Sequence, residues 1–216
     1  MFDNNSIAAT RKVYQLQSLL EKDVDINPVL QFQKWWQQAI ESKIDEVNAM
    51  TLSTSSLSGV PSSRIVLLKG IQDDGFTFFT NYDSHKGKEI AQNPQVALLF
   101  FWKEMERQVR IEGIVSKING EESDEYFYSR PRESRVGAWS SPQSTVISNR
   151  EVLQENVHKY EKEFENKEVP RPINWGGYNV QPRLMEFWQG RPGRLHDRIQ
   201  YSKDQQNNWQ IKRLAP

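Results

Sequence analysis

The chain has 216 residues, enough for one good-sized domain with extra arms and a core that needs no metal or disulfide staple. Its 28 basic and 28 acidic side chains balance to a formal charge of zero, which argues against a general nucleic-acid binder while leaving room for local basic pockets. There is no cysteine and there are only three histidines, far apart, so disulfides, thiolate sites and cysteine nucleophiles are excluded and a metal site is not expected.

Residues 1–27 are polar and irregular, with one basic and aromatic cluster that includes Arg11 and Tyr14, and read as an arm that is mobile until something orders it. They carry no long apolar run, so neither a signal peptide nor a membrane span is expected, and a cytoplasmic protein follows. Asn27-Pro28 looks like a cap followed by a first-turn proline, and Leu30, Trp35, Ala39, Ile40, Ile44 and Val47 predict a helix from about 28 to 46. Short β-rich runs follow at Met50–Thr54, Arg64–Lys69 and Phe76–Thr80, separated by turn-forming residues. Ser84 can cap a short helix that ends before Pro94. Val96–Trp102 and Gln108–Ile118 read as strands, and a helix from Glu121 to Tyr128 is expected to stop at Arg130-Pro131. Residues 138–149 read as a loop, and Glu151–Phe164 as a second long amphipathic helix. Trp175-Gly176-Gly177 reads as a turn before the strand Asn179–Gln189, with a last strand pair at Arg194–Tyr201 and Trp209–Leu214. Six to eight short strands with peripheral helices predict an α+β, mainly β protein built on a closed or nearly closed antiparallel barrel, one domain over 28–216.

The basic residues fall in clusters beside small hydroxyl and amide side chains. Along a strand, Arg64, Val66 and Leu68 would face one way and Ile65, Leu67 and Lys69 the other, so one strand can offer a cation to each of two sites; solvated strand ends fit the same spacing. Ser84-His85-Lys86 sits at a helix start, where free N–H groups and the dipole favour a phosphate, although an exposed basic turn reads about as well. Tyr126 and Arg130 share a helical face, and Ser134 lies just beyond Pro131; guanidinium and hydroxyl donors suit a phosphate monoester. If residues 194–198 are extended, Arg194, His196 and Arg198 share one face and repel one another unless an anion lies against them, with Trp188 near as a ring wall. Gln108, Gln143 and Ser144 offer neutral donors and acceptors for the edge of a heterocycle, though each alone is an ordinary surface residue. No P-loop, dinucleotide turn, metalloprotease helix or hydrolase elbow occurs. The residues thus imply a phosphorylated planar ligand without naming it.

Several motifs in order carry a resemblance: Arg64-Ile-Val-Leu-Leu-Lys69, Phe79-Thr80-Asn81, Ser84-His85-Lys86, Arg107-Gln-Val-Arg110, Ser129-Arg-Pro-Arg132, Gln143-Ser144, Trp175-Gly-Gly177, Glu186-Phe-Trp-Gln-Gly190, Arg194-Leu-His-Asp-Arg198 and the Arg213-Leu-Ala-Pro216 terminus. From about residue 11 to the end the chain resembles the pyridoxamine 5′-phosphate oxidase family. The resemblance implies an FMN-binding split β-barrel that works as a homodimer with flavin at the subunit interface, residues 174–216 serving dimerisation and substrate. It implies oxidation of pyridoxamine or pyridoxine 5′-phosphate to pyridoxal 5′-phosphate, with O2 as acceptor giving hydrogen peroxide, and ammonia from the amine.

Carried over by position, Arg64, Lys86, Ser144 and the helix start at Ser84 and His85 would hold the flavin phosphate. Ile65, Val66, Leu67, Leu68, Lys69, Phe79, Thr80, Gln108, Gln143, Trp188 and Arg198 would line the rest of the flavin. Lys69, Tyr126, Arg130 and Ser134 match the grip on the substrate phosphate, Arg194 and His196 the catalytic pair over the pyridine ring, and Arg11 and Tyr14 an N-terminal segment that can close over the site or contact product elsewhere. The family usually carries arginine where this chain has His85, which is largely neutral at pH 7 and lacks the bidentate fork, so a looser hold on the flavin phosphate is expected.

Overall fold

The computed structural model describes residues 13–72 and 74–216; Arg11 lies outside them. The first helix, α1 (Pro28–Glu41), starts as its sequence predicts: Asn27 Oδ1 accepts from Val29 N at 2.8 Å and Leu30 N at 3.5 Å, and Pro28 fills the first turn. It ends five residues sooner than the apolar spacing suggests, because Lys43 (φ 55°) and Glu46 (φ 44°) turn left-handed and lead the chain away.

The strands are β1 (Ala49–Ser55), β2 (Pro61–Leu67), β3 (Gly70–Gln72), β4 (Gly75–Asn81), β5 (Gln95–Trp102), β6 (Arg107–Lys117), β7 (Trp175–Gln189), β8 (Asp197–Lys203) and β9 (Trp209–Leu214). They form a sheet in the order β2-β1-β5-β6-β7-β4-β3, with β8 paired to β7 and to β9. The pairs β1–β2, β3–β4, β4–β7, β7–β8 and β8–β9 are all antiparallel. Helix α2 (His85–Gln92) follows β4; α3 (Gly120–Ser129), α4 (Arg132–Ser140) and α5 (Glu151–Glu163) lie between β6 and β7.

Three departures from the sequence reading have local causes. The run from Arg64 does not stay one strand to Lys69: Leu68 N bonds Asn48 O, whereas Lys69 N bonds Thr77 O, so the chain passes to β4 at that point. Helix α3 stops before Pro131 as expected, but Pro131 also stands at the N-cap of a further helix, α4, so the loop expected over 138–149 begins only after Ser140. Trp175-Gly176-Gly177 is no turn but the start of β7. Its glycines are small because neighbours press on them: a Cβ at Gly176 would stand 2.2 Å from Tyr82 Oη and one at Gly177 2.3 Å from Ile118 Cδ1.

The chain gathers into two compact units. One comprises the chain up to Val47 with Leu99–Ile111 and Arg183–Pro216, and the other Asn48–Leu98 with Glu112–Pro182. The first unit's core is aromatic, with Phe32 against Phe100 (5.0 Å), Trp35 against Phe187 (5.2 Å) and Phe187 against Tyr201 (5.6 Å), the last with its hydroxyl on Asp25 O at 2.7 Å. In the second, Phe127, Val136, Phe164, Val169 and Trp175 form a buried cluster on which α4 and α5 pack. No helix among the described residues is long and apolar enough to cross a membrane.

Candidate active site

The second unit contains a cavity of about 340 Å³ with the β2 run Arg64–Leu67 as one wall. Alternation along β2 turns Arg64 inward beside Ser62, where it donates to Thr54 Oγ1 and Ser62 Oγ, both at 2.5 Å, and to Leu52 O at 3.2 Å. Its charge is met by Glu89 of α2 at 3.5 Å. Burial alone would raise the Glu89 pKa; hydrogen bonds from Ser62 (2.6 Å) and Thr54 (2.5 Å), with the His85 and Arg64 charges, outweigh that and hold it below the usual carboxylate range.

Lys86, on the first turn of α2, is buried at 8% exposure and has only neutral partners: Gln143 Oε1 at 2.9 Å, Thr80 Oγ1 at 3.0 Å and Ser84 Oγ at 3.3 Å. Loss of hydration, and next the Arg64 charge, bring its pKa down to about 8. Ser84 caps α2 as expected, its Oγ accepting from Gly87 N at 3.3 Å. His85 instead bends back along the helix to Glu89 Oε1 at 3.2 Å and does not line the cavity.

The opposite wall is aromatic. Phe79 stacks on Tyr126 (3.9 Å between centroids, 20° between planes) and on Trp175 (5.6 Å, 15°). Arg130, one residue beyond α3, lies over the Trp175 ring at 4.6 Å and the Phe127 ring at 5.5 Å. Its Nη1 is buried without a hydrogen-bond partner, and desolvation lowers the guanidinium pKa. A buried cationic N–H with no acceptor is costly unless an anion completes it. Lys69 also lines the cavity, its Nζ 6.0 Å from the Tyr126 centroid. The structure thus brings together Arg64, Ile65, Val66, Leu67, Lys69, Phe79, Thr80, Lys86, Tyr126, Arg130 and Gln143. Leu68 is buried and turned from it; Ser134 is on α4 and Ser144 is exposed at φ 67°, neither among its lining residues.

The remaining candidates belong to the first unit. Trp188 and His196 lie 4.6 Å apart, and the Tyr14 ring meets both edge-on at 5.7 and 5.8 Å. His196 is not on a strand. Residues Pro192–Arg194 form a tight turn with Gly193 at φ 65° and Arg194 at φ 62°, and β8 begins only at Asp197. The common face expected for Arg194, His196 and Arg198 is therefore absent, because two left-handed residues break the alternation. His196 Nδ1 accepts from Arg191 N at 3.1 Å, which leaves Nε2 to carry the proton of the neutral ring. Arg198 is held by buried Glu186 (2.8 and 3.1 Å) and donates to Ala215 O at 3.0 Å; Glu186 also accepts from Arg110 at 2.8 Å. Gln108 is half-buried on β6, and Arg194 is exposed.

Sequence reasoning missed two residues here. Trp175 passes for part of a turn because two glycines follow it. Glu89 passes for an ordinary helix charge, although its four-residue spacing from His85 and the Ser62–Arg64 alternation are both visible in the sequence.

The fold is found in proteins of known structure. The fold matches the crystal structure of PhzG from Burkholderia lata in complex with tetrahydrophenazine-1-carboxylic acid, with a TM-score of 0.87, 28% identity, 94% of this chain and 100% of that one covered. A pyridoxamine 5′-phosphate oxidase-related, FMN binding protein from Nostoc punctiforme matches in fold with a TM-score of 0.69 at 16% identity, covering 89% of this chain and 100% of that one. The class is thus the antiparallel split barrel, as the sequence predicts.

Residues 36–163 match the family model described as pyridoxamine 5′-phosphate oxidase, and residues 175–216 match the pyridoxine 5′-phosphate oxidase C-terminal dimerisation region. The chain is 57% identical over 211 residues to a pyridoxine/pyridoxamine 5′-phosphate oxidase of a Cyanothece species, covering 98% of this chain and 99% of that one. It is 54% identical over 212 residues to the protein so named in Polynucleobacter asymbioticus, covering 98% of this chain and 100% of that one. The chain belongs to the pyridoxamine 5′-phosphate oxidase family.

Proposed function

We propose that this chain, with bound FMN, oxidises pyridoxamine 5′-phosphate and pyridoxine 5′-phosphate to pyridoxal 5′-phosphate, with O2 as the final acceptor. The observation that carries this reading is the second unit's cavity, where buried cations with neutral or missing partners face a stack of three rings. The fit to FMN rests on the donor set: Lys86 surrounded by oxygens of Thr80, Ser84 and Gln143, and Arg64 oriented by Thr54, Ser62 and Glu89, suit a phosphate monoester. When bound, FMN supplies the two-electron acceptor for the C4′ carbon of the substrate and passes the electrons to O2, which yields hydrogen peroxide.

The chain's own residues supply position and charge. Lys86 and Arg64 hold the flavin phosphate, and a phosphate beside Lys86 restores its full charge by opposing the desolvation that depresses its pKa. Arg130, with its unsatisfied Nη1, and Lys69 take the substrate phosphate, with Tyr126 and Ser134 as hydroxyl donors. Anchoring the phosphate fixes the distant C4′ in place, which is a proximity effect. His196, its tautomer set by Arg191 N, orients the pyridine ring through Nε2–H, and Arg194 stabilises charge as the C4′–H bond breaks. Trp188, Gln108 and Arg198 contact the flavin ring, and Arg11 with Tyr14 closes over the substrate. The C-terminal dimerisation region pairs two copies, with flavin at the interface between them. A cytoplasmic location goes with this reading.

An anaerobic titration of the purified protein with pyridoxamine 5′-phosphate tests the proposal. Flavin absorbance near ~450 nm should bleach, return when air is admitted, and leave the aldehyde as product. Flavin that stays oxidised would move the function to another substrate, and protein that takes up no FMN would overturn the cofactor as well.

A further inference from the structure

Residues 14–17 are gripped by two consecutive side chains from the start of β6. Glu106 ends the turn Lys103–Met105 at φ 55°, a left-handed value that costs a residue with a Cβ some strain. It is only 2% exposed, and one carboxylate oxygen, Oε2, accepts from the backbone N–H of both Gln15 (2.8 Å) and Leu16 (3.1 Å). Its backbone carbonyl accepts from Gly190 N at 2.8 Å and Gln189 Nε2 at 3.3 Å. Arg107, lying 4.3 Å over the Trp35 ring, donates to Gln17 Oε1. The arm is tied again further on, where Leu19 N donates to Asp197 Oδ2 (3.1 Å) and Arg213 donates to Leu19 O (2.9 Å).

Tyr14 stands immediately before this clasp, and its ring meets Trp188 and His196 edge-on. Gly190 keeps the approach open: a Cβ there would lie 2.8 Å from Tyr14 Cβ and Cγ and 3.0 Å from Glu106 Cβ. Glu106 therefore joins three things at one point, namely the arm that carries Tyr14, the end of the strand that carries Trp188, and the chain leading to His196. A surface carboxylate needs none of this. A buried one that spends a single oxygen on two successive arm N–H groups, in a left-handed residue, fixes where that arm lies.

The geometry points to Glu106 as a positioning residue for the oxidation: its clasp on Gln15 and Leu16 sets Tyr14 against His196 and Trp188, and it reaches the substrate only through them. The inference rests on the proposed place of His196 at the pyridine ring. Because the Leu19 ties are independent of Glu106, breaking the clasp frees Tyr14 while leaving residues 19–21 in place.

The test is a double-mutant cycle on the FMN-loaded enzyme, reading KM and kcat for pyridoxine 5′-phosphate, equilibrium binding of pyridoxal 5′-phosphate, and flavin content. Glu106→Gly suits the left-handed backbone and removes the acceptor. It should raise KM and weaken product binding by about tenfold, roughly the worth of the lost hydrogen bonds, with flavin content held. Glu106→Gln retains an oxygen for the two N–H groups and should restore most of the lost affinity. Tyr14→Ala should weaken binding as well, and Glu106→Gly added to it should do no further harm. Should the glycine variant melt early, Glu106→Asp, one methylene short of the clasp, carries the same cycle. Additive losses in the double variant would overturn the inference, as would a Gln variant as poor as the Gly one or a loss of flavin matching the loss of product binding. Wild-type enzyme without turnover sinks the functional reading and the role with it; turnover with additive losses sinks the clasp alone.

Discussion

The two units differ in which cations they leave without a carboxylate. In the first, four arginines have a carboxylate: Arg198 and Arg110 share Glu186, Arg213 has Glu21 and Asp197, and Arg191 has Asp197. Arg107 is instead held by the amide oxygens of Gln17, Gln38 and Gln189 and stacked on Trp35, with its pKa brought down to about 10 by burial. In the second unit Arg64 and Arg171 are likewise paired, with Glu89 and Asp124, but Lys86 has only neutral oxygens, and Arg130 has aromatic faces and one buried N–H with nothing to bind. The first unit's paired arginines clamp segments together, whereas Lys86 and Arg130, left without a counter-charge beside a cavity, suit an anion. The motifs alone do not separate these two uses, since Arg64-Ile-Val-Leu-Leu-Lys69 and Arg194-Leu-His-Asp-Arg198 look equally ready for a ligand.

If that contrast is right, removing a counter-charge in the first unit should damage the fold. Glu186→Ala leaves Arg110 and Arg198 facing a buried gap, and we expect a loss of about 3 kcal/mol in urea unfolding, at the low end for a broken buried pair because both arginines are partly exposed. Removing an uncompensated cation in the second unit should instead damage binding. Lys86→Met is expected to weaken FMN by about 2 kcal/mol, roughly thirtyfold, while the flavin-free protein melts no lower than wild type. Isothermal titration and a thermal scan check the two halves of that statement.

The pH dependence sharpens the same contrast. Lys86 has its folded pKa depressed to about 8 from 10.5, so between those values the unfolded chain binds more protons and stability of the flavin-free protein should rise with pH. Over the same window its ammonium is lost, so FMN affinity should fall as pH passes about 8, and Lys86→Met should flatten both trends. Glu186 and Glu89 give the same sign at acid pH: their lowered pKa values give stability that is present above the ordinary carboxylate range and lost as pH falls through the folded values. The smallest effect should come from His85→Arg. The His85 side chain is 65% exposed and turned to Glu89, so the change should tighten FMN by no more than about threefold.

Much of the architecture is legible from the chain alone, and the misses share a cause. Strand β9 and helix α5 follow their periodicity within a residue, since Trp209–Leu214 alternates and Val152, Leu153, Val157 and Tyr160 keep one helical face. The caps Asn27 and Ser84 are local chemistry and fall where their sequences put them. Pro131, Gly176-Gly177 and Gly193-Arg194 are harder because one residue type serves opposite ends. Proline can stop a helix or open one, and glycine can make a turn or make room for Tyr82 and Ile118. The site is half legible for a similar reason. Arg64, Lys86, Tyr126 and Arg130 converge as the motifs suggest, but Glu89 and Trp175 enter through contacts with other elements, which for Glu89 only its spacing from His85 hints at.

The central claim is that uncompensated cations in the second unit hold a phosphate on a planar ring. Its most direct test compares FMN with riboflavin, which lacks only the phosphate, in wild-type and Lys86→Met protein. The account predicts that wild type prefers FMN by about a hundredfold or more, and that Lys86→Met removes much of that preference while leaving riboflavin binding almost unchanged. Equal affinities for the two flavins in wild type, or a preference that survives the substitution intact, would contradict it.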